Sequence, residues 1–270
     1  MIRPRLTPLA AGLALLLLSP ATHAHRLWLV ASTTVLSGTG QHIAVEGAIS
    51  NDLFFPNHLS LPLAATTATS PSGKKLELLS PAEGKIRTSF ELKLDETGTY
   101  RIATINDMMF LSWKEGGETR HARGTPAEMD KRDLTKLEGV ELSRWISRVE
   151  TVVTCGEPTP LKPTGEGIEF EFISHPNDLF HGETSTFRLL RDGKPLPETK
   201  VAVVKGDDRF RDEVGELTIT SDAEGLVKVA WPSAGRFWLS AEAEQKPGEY
   251  KGKPLERGAA YFLTLDVLPQ

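Results

Sequence analysis

From residue 25 onward, apolar and polar positions alternate in short runs separated by Gly, Pro and Asn. H-R-L-W-L-V (His25–Val30) predicts an opening strand, with Leu27 and Leu29 on one face and Trp28 and Val30 on the other. Q-H-I-A-V-E-G-A-I (Gln41–Ile49) predicts a second, with Ile43, Val45 and Gly47 pointing one way and His42, Ala44 and Glu46 the other. Asn51–Leu63 reads as loop, because Pro56 and Pro62 remove ladder donors. Thr66–Ser70 and Leu76–Leu79 read as a hairpin around P-S-G-K-K, and Ile86–Leu94 and Thr99–Ile105 as strands joined by D-E-T-G.

The charged stretch Gly116–Val140 breaks this rhythm. It holds the one predicted helix, Pro126–Leu137, with Pro126 suited to a first turn and a thin apolar stripe. Arg144–Thr154 returns to strand character. Cys155–Gly167, rich in Pro and Gly, reads as a linker. Beyond it seven short strands are predicted: Ile168–Ile173, Thr184–Leu190, Lys200–Lys205, Glu216–Thr220, Leu226–Trp231, Arg236–Glu242 and Ala260–Val267. The expected fold class is therefore all-β, with two antiparallel β-sandwich domains and one short helix in the first. The second is expected to be immunoglobulin- or transthyretin-like. The expected boundaries are a signal peptide 1–24, a first sandwich 25–158, a linker 159–167 and a second sandwich 168–270. N-D-L-F occurs at Asn51–Phe54 and again at Asn177–Phe180, although four residues can recur by chance.

The first 24 residues carry a different signal. Arg3 and Arg5 form a basic start and Leu9–Leu18 a short apolar run, too short to span a bilayer and followed by Pro20. Ala24 supplies a small residue for cleavage, with Thr22 at the −3 position. The mature chain is expected to be periplasmic and soluble, without a transmembrane segment. Loss of Arg3 and Arg5 takes the formal charge from −5 to −7. That acidic balance argues against nucleic acid as a partner. Cys155 is the only cysteine, so no internal disulfide forms.

Cleavage after Ala24 would make His25 the first residue. Its free α-amine and its imidazole can then close a chelate ring on one ion, and two neutral nitrogen donors suit Cu, Ni, Co or Zn rather than Mg or Ca. The plainer reading is that cleavage happens to precede a histidine. Other chemistry is sparse: G-x-S-x-G, H-E-x-x-H, C-x-x-C and the phosphate-binding G-x-x-x-x-G-K-[ST] are all missing. Candidate second ligands are His121, His175 and His181, then His58, with His42 last. His175 and His181 flank the turn H-P-N-D-L-F-H. His121 lies in the charged stretch, and His58 follows two phenylalanines expected to plug the end of the first sandwich. Each alone reads more simply as a solvated polar residue, and Cys155 as a buried one.

H-x-L-W-L after the leader, His175–Val201 and T-S-D-A-E-G-L-V-K-V-A-W-P-S-A-G-R-F-W-L-S-A (Thr220–Ala241) resemble the periplasmic domain family of unknown function classed with nickel/cobalt transport systems. The resemblance spans nearly all of Ala24–Val267 and implies an immunoglobulin-like C-terminal half. It also implies a non-enzymatic accessory protein that hands a divalent transition metal (Ni, Co or Cu) to a membrane metal transporter or an outer-membrane receptor. This chain lacks the histidine-rich run of metal-storage proteins. Two rival readings are a metal-free β-sandwich module that binds a protein partner or a glycan, and a copper enzyme using a terminal-histidine brace.

Overall fold

The computed structural model describes residues 25–207, 209 and 211–270, so the expected signal peptide lies outside the described residues. Among the described residues the chain is nearly all-β, with one turn of α-helix and a 3-10 turn at Leu63–Ala65.

The first half runs through β1 (Arg26–Ala31), β2 (Val35–Leu36), β3 (Gln41–Ser50), β4 (Leu59–Ser60), β5 (Thr66–Thr69), β6 (Leu79–Glu83) and β7 (Thr88–Leu94). It continues through β8 (Gly98–Glu115), β9 (Glu118–Gly124), α1 (Pro126–Met129) and β10 (Glu138–Cys155). One antiparallel sheet has the order β1-β3-β7-β6, with β4 also on β3. Its period-two pattern is clean in β7, where Thr88, Phe90, Leu92 and Leu94 are buried while Glu91 and Lys93 face water.

The second half contributes β11 (Ile168–Phe172), β12 (Thr184–Arg191), β13 (Lys194–Pro195), β14 (Lys200–Lys205) and β15 (Leu217–Thr220). β16 (Leu226–Ala230), β17 (Gly235–Tyr250) and β18 (Lys253–Val267) complete it. A small sheet of β11, β12, β13 and β16 faces a nine-stranded sheet ordered β15-β14-β17-β18-β10-β8-β5, with β2 and β9 at its margins. That large sheet belongs to both halves. β10 and β18 pair in parallel from Ser143 opposite Glu256 to Thr151 opposite Thr264. One face of the sheet packs on the first sheet through Trp28, Phe90, Ile102, Val149, Val153, Trp238 and Phe262. The other covers the small sheet through Phe170, Phe187, Trp231, Leu239 and Tyr261.

Three local expectations change. The helix stops at Met129 rather than Leu137. Thr125 and Glu128 cap its start reciprocally, but Asp133 then accepts from the backbone N–H and hydroxyl of Thr135 and holds a turn. Met129 and Leu134 instead close a third cluster over Met109, Leu111, Leu142 and Leu255. Second, the hairpin around P-S-G-K-K closes only near its tip, where the Ser70 N–H donates to the Lys74 carbonyl, Thr69 bridges Lys75 and the Leu76 N–H donates to the Ala68 carbonyl. Beyond it the strands part, β5 joining β8 in the large sheet while β6 joins β7 in the first. Third, β8, β10, β17 and β18 run well past the predicted strands and project together, with β9, as an extension.

Candidate metal centre

β1 and β4 lie on opposite edges of β3 near its Ser50 end, with Arg26 opposite Ser50 and Leu59 opposite Ile49. The residues just before each strand, His25 and His58, therefore meet over that end of the sheet. Their rings stack with centroids 3.9 Å apart and planes 10° from parallel. Both residues are exposed.

The loop carrying His58 is tied down by its own polar groups. Ser50 Oγ accepts from the buried Trp28 Nε1 at 2.7 Å and donates to the Asp52 carbonyl at 2.6 Å. Asn57 accepts from the Asn51 backbone N–H and donates to the Asp52 carboxylate, both at 3.0 Å. Leu53, fully buried, is the residue that plugs the end of the first core. Phe54, expected to share that task, is only partly buried; it adopts a left-handed φ of 64° and stands edge-on to Trp28. The second N-D-L-F behaves alike: Leu179 is fully buried in the second core. The echo thus marks two loops that each close a sandwich with one leucine.

The remaining histidines lie elsewhere. His121 is exposed on β9 opposite Ser112, and lines an open groove of about 640 Å³ with Phe110, Arg123 and Glu141. His175 lies beside Thr99. Thr99 and Ser112 are thirteen residues apart on β8, about 40 Å at the usual rise of ~3.3 Å per residue. One ion therefore cannot take both His121 and His175. His181 is exposed, with its backbone N–H on the Leu268 carbonyl. His42 is exposed opposite Lys93. Cys155 is buried, its thiol donating to the Gly38 carbonyl at 2.9 Å and pushed up in pKa by burial.

Among the described residues, no three His, Cys, Asp or Glu side chains gather as a metal site. His25 and His58 offer two imidazoles. This nitrogen-only donor set fits Cu, Ni, Co or Zn and is a poor match for Ca or Mg, which take oxygen ligands.

Nothing in F-F-P-N-H-L reveals that β1 and β4 share β3, so the sequence alone places His58 behind three other histidines as a ligand. A buried ionic cluster is equally unmarked by any motif. Glu150 of β10 accepts from Arg101 of β8 at 3.2 Å and lies 3.7 Å from Arg148, while Glu169 accepts from the Thr164 and Gly165 backbone N–H groups. The alternation of Arg148, Glu150 and Val152 along β10 was its one trace in the sequence.

These features define an all-β protein of three sheets, with an exposed histidine pair at one sheet end. The chain belongs to the family of a domain of unknown function, DUF4198, which matches residues 22–245. No curated protein matches it. Among solved structures, the D0-D1 domain of intimin is similar at 11% identity, over 89% of this chain and 97% of that one, with a TM-score of 0.21. The human OSCAR ligand-binding domain is similar at 11% identity, over 90% and 99%, with a TM-score of 0.20. The fold described above rests on the strand pairing, not on these likenesses.

Proposed function

We propose that the protein is a periplasmic accessory protein that carries a divalent transition metal for nickel- or cobalt-type uptake. His25 and His58 would hold the ion, and His25 would contribute both its imidazole and its α-amine once the leader is removed after Ala24. The observation that carries this reading is the stacked pair itself: two exposed imidazoles, far apart in sequence, held together at the one end of the sheet where a processed terminus would emerge. Neutral imidazole is a common ligand for these metals, and the amine closes a chelate that an amide nitrogen would not. A donor set this open to solvent suits cargo that must be passed on, to a membrane transporter or an outer-membrane receptor, better than a catalytic centre. We therefore read the protein as a carrier and not an enzyme.

The test is calorimetric titration of Cu(II), Ni(II) and Co(II) into protein beginning at His25 and into protein extended by one residue. The extended form is expected to lose most of the affinity. Equal affinity of the two forms would remove the terminal amine from the site, and no binding by either would favour a metal-free module. Oxygen or peroxide consumption by the copper-loaded protein would return the enzymatic reading.

A further inference from the structure

The face of the large sheet that covers the second core does not stop where the small sheet stops. On β10 it carries Arg148 and Glu150, and on β8 it carries Thr99, Arg101, Ala103 and Ile105, with Ile105 opposite Arg148 and Ala103 opposite Glu150. On β5 it continues to Thr67 and Thr69. Here the cover is the segment Pro160–Glu166 instead of a sheet, and between the two lies a groove of about 580 Å³. That volume is ordinary for a small-molecule site.

The charges along the groove are unbalanced. Arg101, Arg148 and Lys162 line it, against one carboxylate, Glu166, which lies 3.2 Å from Arg144. Glu150, behind the two arginines, accepts from Arg101 Nε at Oε1, 3.2 Å away, while its Oε2 stays 3.7 Å from Arg148 Nη1. Arg148 is only 5% exposed. Its Nη2 donates to Thr164 Oγ1 at 2.7 Å, yet its buried Nε has no hydrogen-bond partner. The neighbouring Glu150 Oε2 is likewise buried without a hydrogen-bond partner, so this carboxylate does not close on Arg148, and an oxygen anion in the groove would be drawn to the positive charge that Arg148 and Lys162 bring to its lining. Ile105 and Leu161, also in the lining, offer contact to carbon.

We propose that this groove is a binding site for a small organic carboxylate, with its carboxylate against Arg148 and its carbon skeleton along Ile105 and Leu161. The hydroxyls of Thr69 and Thr164 flank the same space. The groove shares no residue with the histidine pair, so the proposal stands apart from metal binding.

The experiment is calorimetric titration of metal-stripped protein with benzoate, succinate and citrate, with sulfate and a methyl glucoside as comparators. At least one carboxylate is expected to bind in a one-to-one ratio, and the sulfate and glucoside to give no comparable heat. Ile105→Trp, which fills the groove and leaves every charge in place, is expected to weaken that carboxylate at least tenfold. Thr69→Trp serves the same purpose if the first variant fails to fold by circular dichroism. His25→Ala is expected to bind the carboxylate as the unaltered chain does. Four outcomes would overturn the proposal: no binding of any carboxylate, preference for sulfate or the glucoside, affinity indifferent to both groove-filling variants, or loss of binding with His25→Ala.

Discussion

His175 Nε2 lies 2.9 Å from Thr99 Oγ1, which joins the first loop of the second half to the start of β8. The ring's Nδ1 accepts the Asn177 backbone N–H at 3.2 Å, so the neutral tautomer carries its proton on Nε2 and donates to Thr99. Asn177 extends the joint, accepting from Thr154 Oγ1 and donating to the Val152 carbonyl. This histidine binds the halves together and has no nitrogen left for a metal.

That joint predicts a pH dependence. Burial lowers the His175 pKa below its ordinary value of 6.5, and the nearby Thr159 backbone and Asp178 offset only part of this. The unfolded chain therefore binds a proton more readily than the folded one. Stability is expected to be fully present above about pH 6.5 and to fall as pH drops toward the folded pKa, by at most about 1.4 kcal/mol per pH unit. Urea denaturation at pH 7.5 and 5.5 measures it. His175→Gln should flatten this part of the profile, and an unchanged profile would assign the loss to other groups.

Gly258→Ala is expected to destabilise the chain although glycine is not needed there for its backbone angles. Gly258 pairs with Trp145 across the parallel junction. A Cβ at 258 would stand 2.1 Å from Trp145 Cε3 and 2.2 Å from Cζ3, so the indole must move. Overpacking of this kind costs about 1–3 kcal/mol. Thermal unfolding of Gly258→Ala beside Gly258→Ala/Trp145→Leu checks the cause, since the double variant should recover part of the loss.

His58→Ala should leave the melting temperature nearly unchanged, because the ring is exposed and its loop is held by Ser50, Asp52 and Asn57. If the ion sits on the histidine pair, nickel affinity should fall about tenfold or more, equivalent to roughly 1.4 kcal/mol. Trp28→Ala should do the reverse to stability and lose about 3–5 kcal/mol, since it empties a buried site and strips Ser50 of its donor.

Cys155 should resist alkylation in the native protein. Its side chain is fully buried, its thiol donates to the Gly38 carbonyl, and burial holds it away from the reactive thiolate. Iodoacetamide at pH 8, followed by mass spectrometry, should modify it only after denaturant is added. Rapid labelling of folded protein would show that the end of β10 opens.

Most strands were legible because half-buried strands write a two-residue period, as Phe90, Leu92 and Leu94 do against Glu91 and Lys93. The projecting ends of β8 and β10 were not. There the sheet exposes Phe110 and Glu141 on one face and keeps only a thin apolar row on the other, a pattern that also reads as charged loop. Pairing partners lay beyond reach for a different reason. The period places a side chain on a face but does not say which strand lies alongside, so the separation of β5 from β6 and the meeting of His25 with His58 had no sequence signature.

The parallel union of β10 with β18 sets an order of assembly. β10 is synthesised more than a hundred residues before β18, so until β18 arrives its edge from Ser143 to Thr151 presents unpaired backbone groups. The first core is also incomplete until then, for Trp238, Ala260 and Phe262 come from β17 and β18. An emerging chain therefore holds a half-built sandwich with an adhesive edge during the whole of its second half. That interval is when a holdase chaperone would have the most to cover, and it closes only when β18 slots in beside β10.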